Sequence, residues 1–496
     1  MTWSAGDRSG RDGRPPRTSR SPGAARPSAS SLANRAPGRG KPDPVDAARR
    51  AAYDAVSAVH RDDAYANLAL PGILRDADLH GRDAAFATEL TYGTLRTSGT
   101  LDAIIAIAAD RDVDRIDPPA RDALRLGVYQ LLYTRVPAHA AVSATVDLVR
   151  SVASEGAAGF ANAVMRQVTA KPLEDWLTTV APDAATDRVG HLAVTHHHPQ
   201  WIVRAFAEAL GGDLDETETL LVEDNERPVV HLCARPGRID AVDLADQADG
   251  APGAFSPYAV YLGGGSPGNL PAIVHADAHV QDEGSQLVAL ALANAPIDGP
   301  DERWLDLCAG PGGKAALLGS LAAQRDARMT AIEITPHRAT LIEKTTRGLP
   351  VDVICADGRD VGSIPELPAG GFDRVLVDAP CSGLGSLRRR PEARWRRTPG
   401  DLPPLTKLQR ELLTAAFRAV RPGGVVAYVT CSPHIAETQV TVTESARRSP
   451  HPMELVDARP LLPDGMPGLG TGPTVQLWPH RHGTDAMFLA VLRRGE

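Results

Sequence analysis

The sequence predicts a multidomain protein: an N-terminal all-α helical bundle, a small α+β connector and a C-terminal α/β domain with a Rossmann-like, doubly wound sheet. Three observations predict it. At 496 residues the chain is too long to bury its apolar residues in one core. From about residue 43 to 170, apolar residues recur at helical spacing. From about residue 277 onward, strand-like and helix-like runs alternate, the signature of a sheet covered by helices. The expected organisation is a basic tail over 1–42, a helical domain over 43–171, a connector over 172–276 and the α/β domain over 277–496.

The tail explains an asymmetry in charge. Residues 1–41 hold eight Arg and one Lys against Asp7 and Asp12, a balance of +7, so a net charge of −8 leaves −15 for the rest. A segment so rich in Pro, Gly, Ser and Arg buries too little apolar surface to fold and is expected to be disordered. Its arginines suit loose contact with RNA phosphates, although a simple solvated tail has the same composition. At 43% hydrophobic and 23% charged, the whole is an ordinary soluble chain. No apolar run reaches the roughly 18–20 residues of a membrane span, and no apolar stretch follows the N-terminal arginines as in a secretory signal. Five cysteines without a CxxC pair argue against a zinc site or disulfide framework, so no metal is expected and a reducing cytoplasm fits.

In the helical domain, Leu124, Val128, Leu131 and Leu132 form one stripe and Val142, Val146 and Val149 another. Pro118-Pro119 opens the first of these helices and Pro137 separates the two, both tolerable boundary positions. In the connector, residues 228–235 read as a strand and Gly263-Gly-Gly265 as a turn. His196-His-His198 is no metal site by pattern, because consecutive histidines do not easily converge on one ion. The α/β domain is expected to place strands at 304–307, 329–334, 351–355, 374–378 and 424–430, with a C-terminal pair that includes 487–492.

The first of those strands runs into Leu305-Asp-Leu-Cys-Ala-Gly-Pro-Gly-Gly-Lys314, followed by an apolar helix. Its glycines permit a tight turn and close approach of backbone to a ligand. The spacing is neither a dinucleotide fingerprint nor a P-loop. Acids recur at later strand ends, Glu333 after the second and Asp357 after the third, the pattern of a sheet that holds a ribose and a base. One nucleoside without phosphates fits S-adenosylmethionine better than NAD.

Two cysteines end two further strands, Cys381 in Asp378-Ala-Pro-Cys381 and Cys431 in Thr430-Cys-Ser432. In an open sheet both thiols can face one crevice, whereas a lone strand-end cysteine is most often a small buried apolar residue. Cys308-Ala-Gly-Pro-Gly-Gly-Lys314, Asp378-Ala-Pro-Cys-Ser-Gly-Leu-Gly385, Arg389-Arg-Pro-Glu-Ala-Arg-Trp395 and Thr430-Cys-Ser432 together resemble the Nop2/Sun/Fmu family of RNA cytosine-C5 methyltransferases. Gln281-Asp-Glu-Gly-Ser-Gln286 and Gln476-Leu-Trp-Pro-His-Arg-His-Gly-Thr-Asp485 extend the resemblance. At the front, Glu89-Leu-Thr-Tyr-Gly-Thr-Leu-Arg96, Leu126-Gly-Val-Tyr-Gln-Leu-Leu132, Pro137-Ala-His-Ala-Ala-Val142 and Phe160-Ala-Asn-Ala-Val-Met-Arg166 resemble the NusB-type RNA-binding domain. The combination is similar to the branch of the family that modifies bacterial small-subunit (16S) ribosomal RNA.

The resemblance implies roles. Cys431 would attack C6 of the cytosine, Cys381 would serve release by β-elimination, Asp378 would meet the base edge and border the methyl donor, and Lys314 would organise the charged site. Cys308, Ala309, Gly310, Pro311, Gly312, Gly313, Lys314, Glu333, Asp357 and Asp378 would form the S-adenosylmethionine pocket. Residues 386–397 hold six Arg, one Glu and Trp395, a balance of +5 that suggests phosphate contact by Arg389, Arg390 and Arg394 with Trp395 stacking or packing. Two departures stand out: Ala436-Glu437-Thr438 where relatives read Glu-Glu-Asn, and Asp485-Ala-Met-Phe488 where they read Asp-Gly-Phe-Phe. The competing reading is a NusB-like RNA-binding or ribosome-assembly protein without catalysis, against which stand the glycine turn, both acids and both cysteines. No motif specifies the target nucleotide or an oligomeric state.

Overall fold

The computed structural model describes residues 45–365, 367 and 370–496, and the basic tail expected over 1–42 lies outside them. From Val45 to Glu496 the chain packs as one compact unit. It opens with helices α1 (Ala47–Arg61), α2 (Ala66–Asp76), α3 (Gly81–Ala109), α4 (Pro118–Tyr133), α5 (Ala138–Val152) and α6 (Glu155–Val168). The expected stripes face inward: Leu124, Val128 and Val149 are fully buried with Leu90, Leu101, Ile104 and Ile105 of the long central helix. Pro118 is the first residue of α4 and Pro137 precedes α5, where a missing N–H costs nothing.

Helices α7 (Leu173–Val180), α8 (Arg188–Thr195), α9 (Gln200–Ala209) and α10 (Leu214–Glu223) follow. A small antiparallel sheet comes next, with β1 (His231–Ala234), α11 (Ala241–Gln247), β2 (Ala251–Pro252), β3 (Ala259–Tyr261), α12 (Pro271–Val274) and β4 (Ala278–Val280) in the order β2-β3-β1-β4. The sheet half of this connector closes a small core of its own, with Leu232, Leu244, Val260 and Ala278 packed together, whereas α9 and α10 pack elsewhere. Ile202, Phe206, Leu220 and Leu221 share a cluster with Leu384, Leu387 and Trp478 of the C-terminal domain. The Gln281-Asp-Glu motif rivets the next junction: Glu283, wholly buried, accepts from the backbone N–H groups of Phe255 and Ser256, each at 2.7 Å.

The α/β domain comprises α13 (Glu283–Asn294), β5 (Arg303–Asp306), α14 (Gly313–Gln324), β6 (Arg328–Ile332), α15 (Pro336–Thr345), β7 (Val351–Ile354), β8 (Phe372–Asp378), α16 (Ala393–Arg396) and α17 (Leu402–Ala419). It ends with β9 (Val420–Thr430), α18 (Gln439–Arg447), β10 (Met453–Val456), β11 (Val475–Gln476), α19 (Pro479–His482) and β12 (Phe488–Arg494). The sheet order is β10-β12-β9-β8-β5-β6-β7, with β11 on β12. Strands β5 to β9 run parallel and β12 turns back antiparallel to β9. β9 starts four residues before the expected 424, because Pro422-Gly423 forms an irregularity in the ladder opposite Phe372–Arg374 instead of a break. Apolar clusters fill both faces of the sheet. Among the described residues no helix is long and apolar enough to cross a membrane.

Candidate active site

Strand order arranges the predicted residues in a row. Along the carboxyl edge, Asp357 follows β7, Glu333 follows β6, the glycine turn follows β5, Asp378 ends β8 with Cys381 in the loop after it, and Cys431 follows β9. The chain leaves β5 toward β6 and β7 and returns on its other side through β8, so the switch point lies beside the glycine turn. Open α/β sheets bind ligands at that place.

The turn is built for close approach. The Cys308 N–H donates to Asp306 Oδ1 at 3.1 Å and the Ala309 N–H to the Ile332 carbonyl at 2.9 Å. A Cβ on Gly310 would lie 2.2 Å from Glu333 Oε2 and 2.7 Å from Arg338 Nε, so a side chain there would displace the charged ends that now line the turn. Gly312 takes φ +114°, a left-handed value, and Gly313 opens α14. Glu333 is nearly fully buried and accepts from the Thr335 N–H at 2.9 Å. Asp357 lies at the far end, its carboxylate gripped by Arg359 Nη2 at 2.6 Å, which holds it below the usual carboxylate range.

Lys314 Nζ donates to Asp378 Oδ2 at 2.8 Å, linking the turn to β8. Burial works against its ammonium, but Asp378, with smaller help from Cys431 and Asp306, holds its pKa above the ordinary value. The two thiols face each other with Cys381 Sγ 3.5 Å from Cys431 Sγ. They are not equivalent. The Cys381–Cys431 hydrogen bond pulls Cys431 below the usual thiol range, against burial and Asp378 and with the aid of Lys314 and Arg390. The same bond, burial and the charges of Cys431 and Glu437 push Cys381 well above that range. Either sulfur can donate in this contact, and the opposite directions of the two shifts make Cys431 the more acidic thiol. Such a pair offers one nucleophile and one proton carrier in a single crevice.

Residues 292–493 match the family model described as 16S rRNA methyltransferase RsmB/F, and residues 46–170 match that of the NusB family. The ribosomal RNA small subunit methyltransferase B of Pseudomonas putida (strain KT2440) is 32% identical over 82% of this chain and 90% of its own length. The protein named methyltransferase Rv1407 in Mycobacterium tuberculosis (strain H37Rv) is 57% identical over 91% of this chain and 97% of its own. The chain belongs to the RsmB/F methyltransferase family. The crystal structure of PH0851 shares the fold, with a TM-score of 0.76 at 22% identity over 90% of this chain and 98% of that one.

In this RsmB/F member the arginine run departs from expectation. Arg394, expected to face phosphates, is wholly buried: it donates to the His197 carbonyl at 3.1 Å, to Asn225 Oδ1 at 2.7 Å and to the Asp224 carbonyl at 2.6 Å. Arg389 spans Asp282 Oδ2 at 2.6 Å and Asp485 Oδ1 at 2.9 Å. Trp395 inserts into the helical bundle and donates to the Leu95 carbonyl at 2.9 Å. These three side chains are occupied by protein partners that a count of charges along the sequence does not register. Arg390 differs: it is exposed, lies over the Tyr65 ring at 5.6 Å, and its charge reaches Cys431.

Two residues of the site escaped the sequence reading. Asp306 is fully buried, its Oδ2 has no hydrogen-bond partner among the described residues, and burial with the nearby Asp378 charge raises its pKa to about 7. Its position as the last residue of β5, opening the glycine turn, was the available signal. Glu437, noted only beside a departure from relatives, is also fully buried and bonded to the Cys381 loop. Among the described residues no group of three or more His, Cys, Asp or Glu is disposed to hold a metal ion.

Proposed function

We propose that the chain transfers a methyl group from S-adenosylmethionine to C5 of a cytosine in small-subunit (16S) ribosomal RNA through a covalent cysteine–C6 adduct. The pair of unequal thiols 3.5 Å apart, beside the Lys314–Asp378 ion pair, carries the proposal. C5 of cytosine is a poor nucleophile. The Cys431 thiolate adds to C6, which makes C5 enamine-like and able to take an electrophilic methyl group. The C5–H electron pair then closes the C5=C6 bond as the Cys431–C6 bond breaks and Cys431 leaves as a thiolate. The C5 proton passes to a solvent base, and Cys381 assists this release. Lys314 favours the thiolate and fixes Asp378 at the base edge.

The residues fit the methyl donor. A turn that excludes a Cβ at Gly310, the Glu333 carboxylate and the orphaned Asp306 oxygen form an acidic cradle for a cationic nucleoside. Glu333 and Asp357 would hold ribose and adenine, with Cys308, Ala309, Pro311, Gly312 and Gly313 as the backbone floor. S-adenosylmethionine supplies a methyl group on a sulfonium, which an acidic site favours. Arg390 with Tyr65 offers a cation and an exposed ring for the RNA strand at the mouth. The NusB-like bundle, proposed as residues 43–171, adds RNA surface. A cytoplasmic location follows from a ribosomal substrate.

Purified protein with labelled methyl donor and unmodified small-subunit RNA tests the reading. Cys431→Ala should abolish transfer and leave cofactor affinity nearly intact, whereas Cys381→Ala should accumulate a slow-migrating protein–RNA band that requires Cys431. Normal turnover by Cys431→Ala would sink the mechanism.

A further inference from the structure

Glu437 sits in a short turn after β9 and touches neither thiol, yet it bonds the Cys381 loop directly and is linked to the Cys431 loop through Ser382. Its Oε1 accepts from the Ser382 N–H at 2.8 Å and from Gln409 Nε2 at 3.0 Å, and its Oε2 accepts from the Ser382 hydroxyl. The Ser382 hydroxyl meets the Ser432 hydroxyl at 3.0 Å. Gln409 Nε2 also donates to the Pro380 carbonyl at 2.9 Å, and the Tyr428 hydroxyl donates to the Glu437 carbonyl at 2.7 Å. Ser382 is therefore tied to Glu437 directly, Pro380 through Gln409, and Ser432 through Ser382. Ser382, Gln409, Ser432 and Glu437 are all buried.

A second observation concerns charge. Among the described residues no Lys, Arg or His lies within ion-pair distance of this carboxylate; neutral donors alone hold it. Keeping an anion in such a place is costly, and a glutamine would offer the same backbone N–H an acceptor. A requirement for negative charge explains the acid. The titratable and charged groups around Cys381 are Cys431, Glu437 and Tyr428, with Asp378, Lys314 and Arg390 around Cys431 beyond.

We propose that Glu437 is a positioning residue that fixes the two cysteine loops at their working separation and, by its charge, keeps the proton of the pair on Cys381. The second half of this role rests on the two-cysteine reading above. The geometry behind it is that Glu437 bonds the residue after Cys381, while Lys314 is bonded to Asp378 at the end of β8.

The test uses the full chain and two readouts. In a Cys431→Ala background, the pH midpoint for alkylation of Cys381 by iodoacetamide is measured with and without Glu437→Gln. Loss of the nearby negative charge should lower the midpoint by about one pH unit. In otherwise intact protein, Glu437→Gln should lower kcat for RNA methylation roughly tenfold to a hundredfold, with S-adenosylmethionine affinity within about twofold by calorimetry. Ser382→Ala, which removes the hydroxyl arm but keeps the charge, should lower kcat while leaving the alkylation midpoint in place. Glu437→Gln with the parent's midpoint would overturn the electrostatic role; kcat losses that only follow lost folding or cofactor affinity would overturn the positioning role. The alkylation readout needs no RNA, so failure of the methyl-transfer reading and failure of this one remain distinguishable.

Discussion

Asp306 is where a single residue sets stability against binding. Its pKa of about 7 means the folded chain holds a proton that the unfolded chain releases near 4. Between those values the folded state binds more protons, so this group's contribution to stability falls as pH rises. Asp306→Asn, which cannot ionise, should raise the melting temperature over the parent at pH 8, with the gain shrinking toward pH 5. The same change should weaken S-adenosylmethionine binding by about 1–3 kcal/mol if the acid faces the donor's positive charge. Calorimetry in both regimes checks it, and a stability difference independent of pH would refute the linkage. Residues whose chemistry lies in their type were legible from the sequence: glycines at a strand end, a Pro-Cys and a Thr-Cys. Glu437 was not, because its meaning lies in Ser382, 55 positions away in the chain.

At the scale of an element, α16 and the turn before it carry the lesson further. A run of six arginines in an acidic chain reads as an RNA surface, yet the partners of Arg394 and Trp395 lie 169 and 300 positions upstream. Composition cannot see pairings at that distance, whereas the strands and the bundle were visible through their local periodicity. The run therefore divides into two functions that mutation separates. Arg394→Ala leaves Asn225 and the Asp224 backbone without their donor and should cost about 1–3 kcal/mol of stability. Arg390→Ala touches no buried partner and should leave the melting temperature nearly unchanged. It should instead weaken RNA binding and flatten the dependence of log affinity on log salt by about one ion. Equal stability losses for both, or an unchanged salt slope for Arg390→Ala, would return the run to a single role.

At the scale of the whole molecule, the catalytic sheet and the helical bundle interlock through α16. Gly99 of α3 lies so close to Trp395 that a Cβ there would fall 2.3 Å from its ring. Arg396 donates to the Val59 carbonyl at 2.6 Å and also reaches the Ala64 carbonyl, and Glu392 accepts from the Ala66 N–H at 3.3 Å. Removing the bundle would leave an indole, a guanidinium and a buried carboxylate without partners, each costly to expose or strand. The described chain should therefore melt as one cooperative transition by calorimetry, with coincident loss of near-ultraviolet and far-ultraviolet dichroism. Gly99→Leu should force the helices apart, cost about 1–3 kcal/mol and lower that transition by several degrees without splitting it. A fragment beginning at residue 171 should lose much of its tertiary signal and bind S-adenosylmethionine weakly, although every residue proposed to hold the cofactor is still present. Two well-separated transitions in the intact chain, together with a fragment that melts at the parent's temperature, would mean that the bundle is an appended module and that the α16 contacts contribute little.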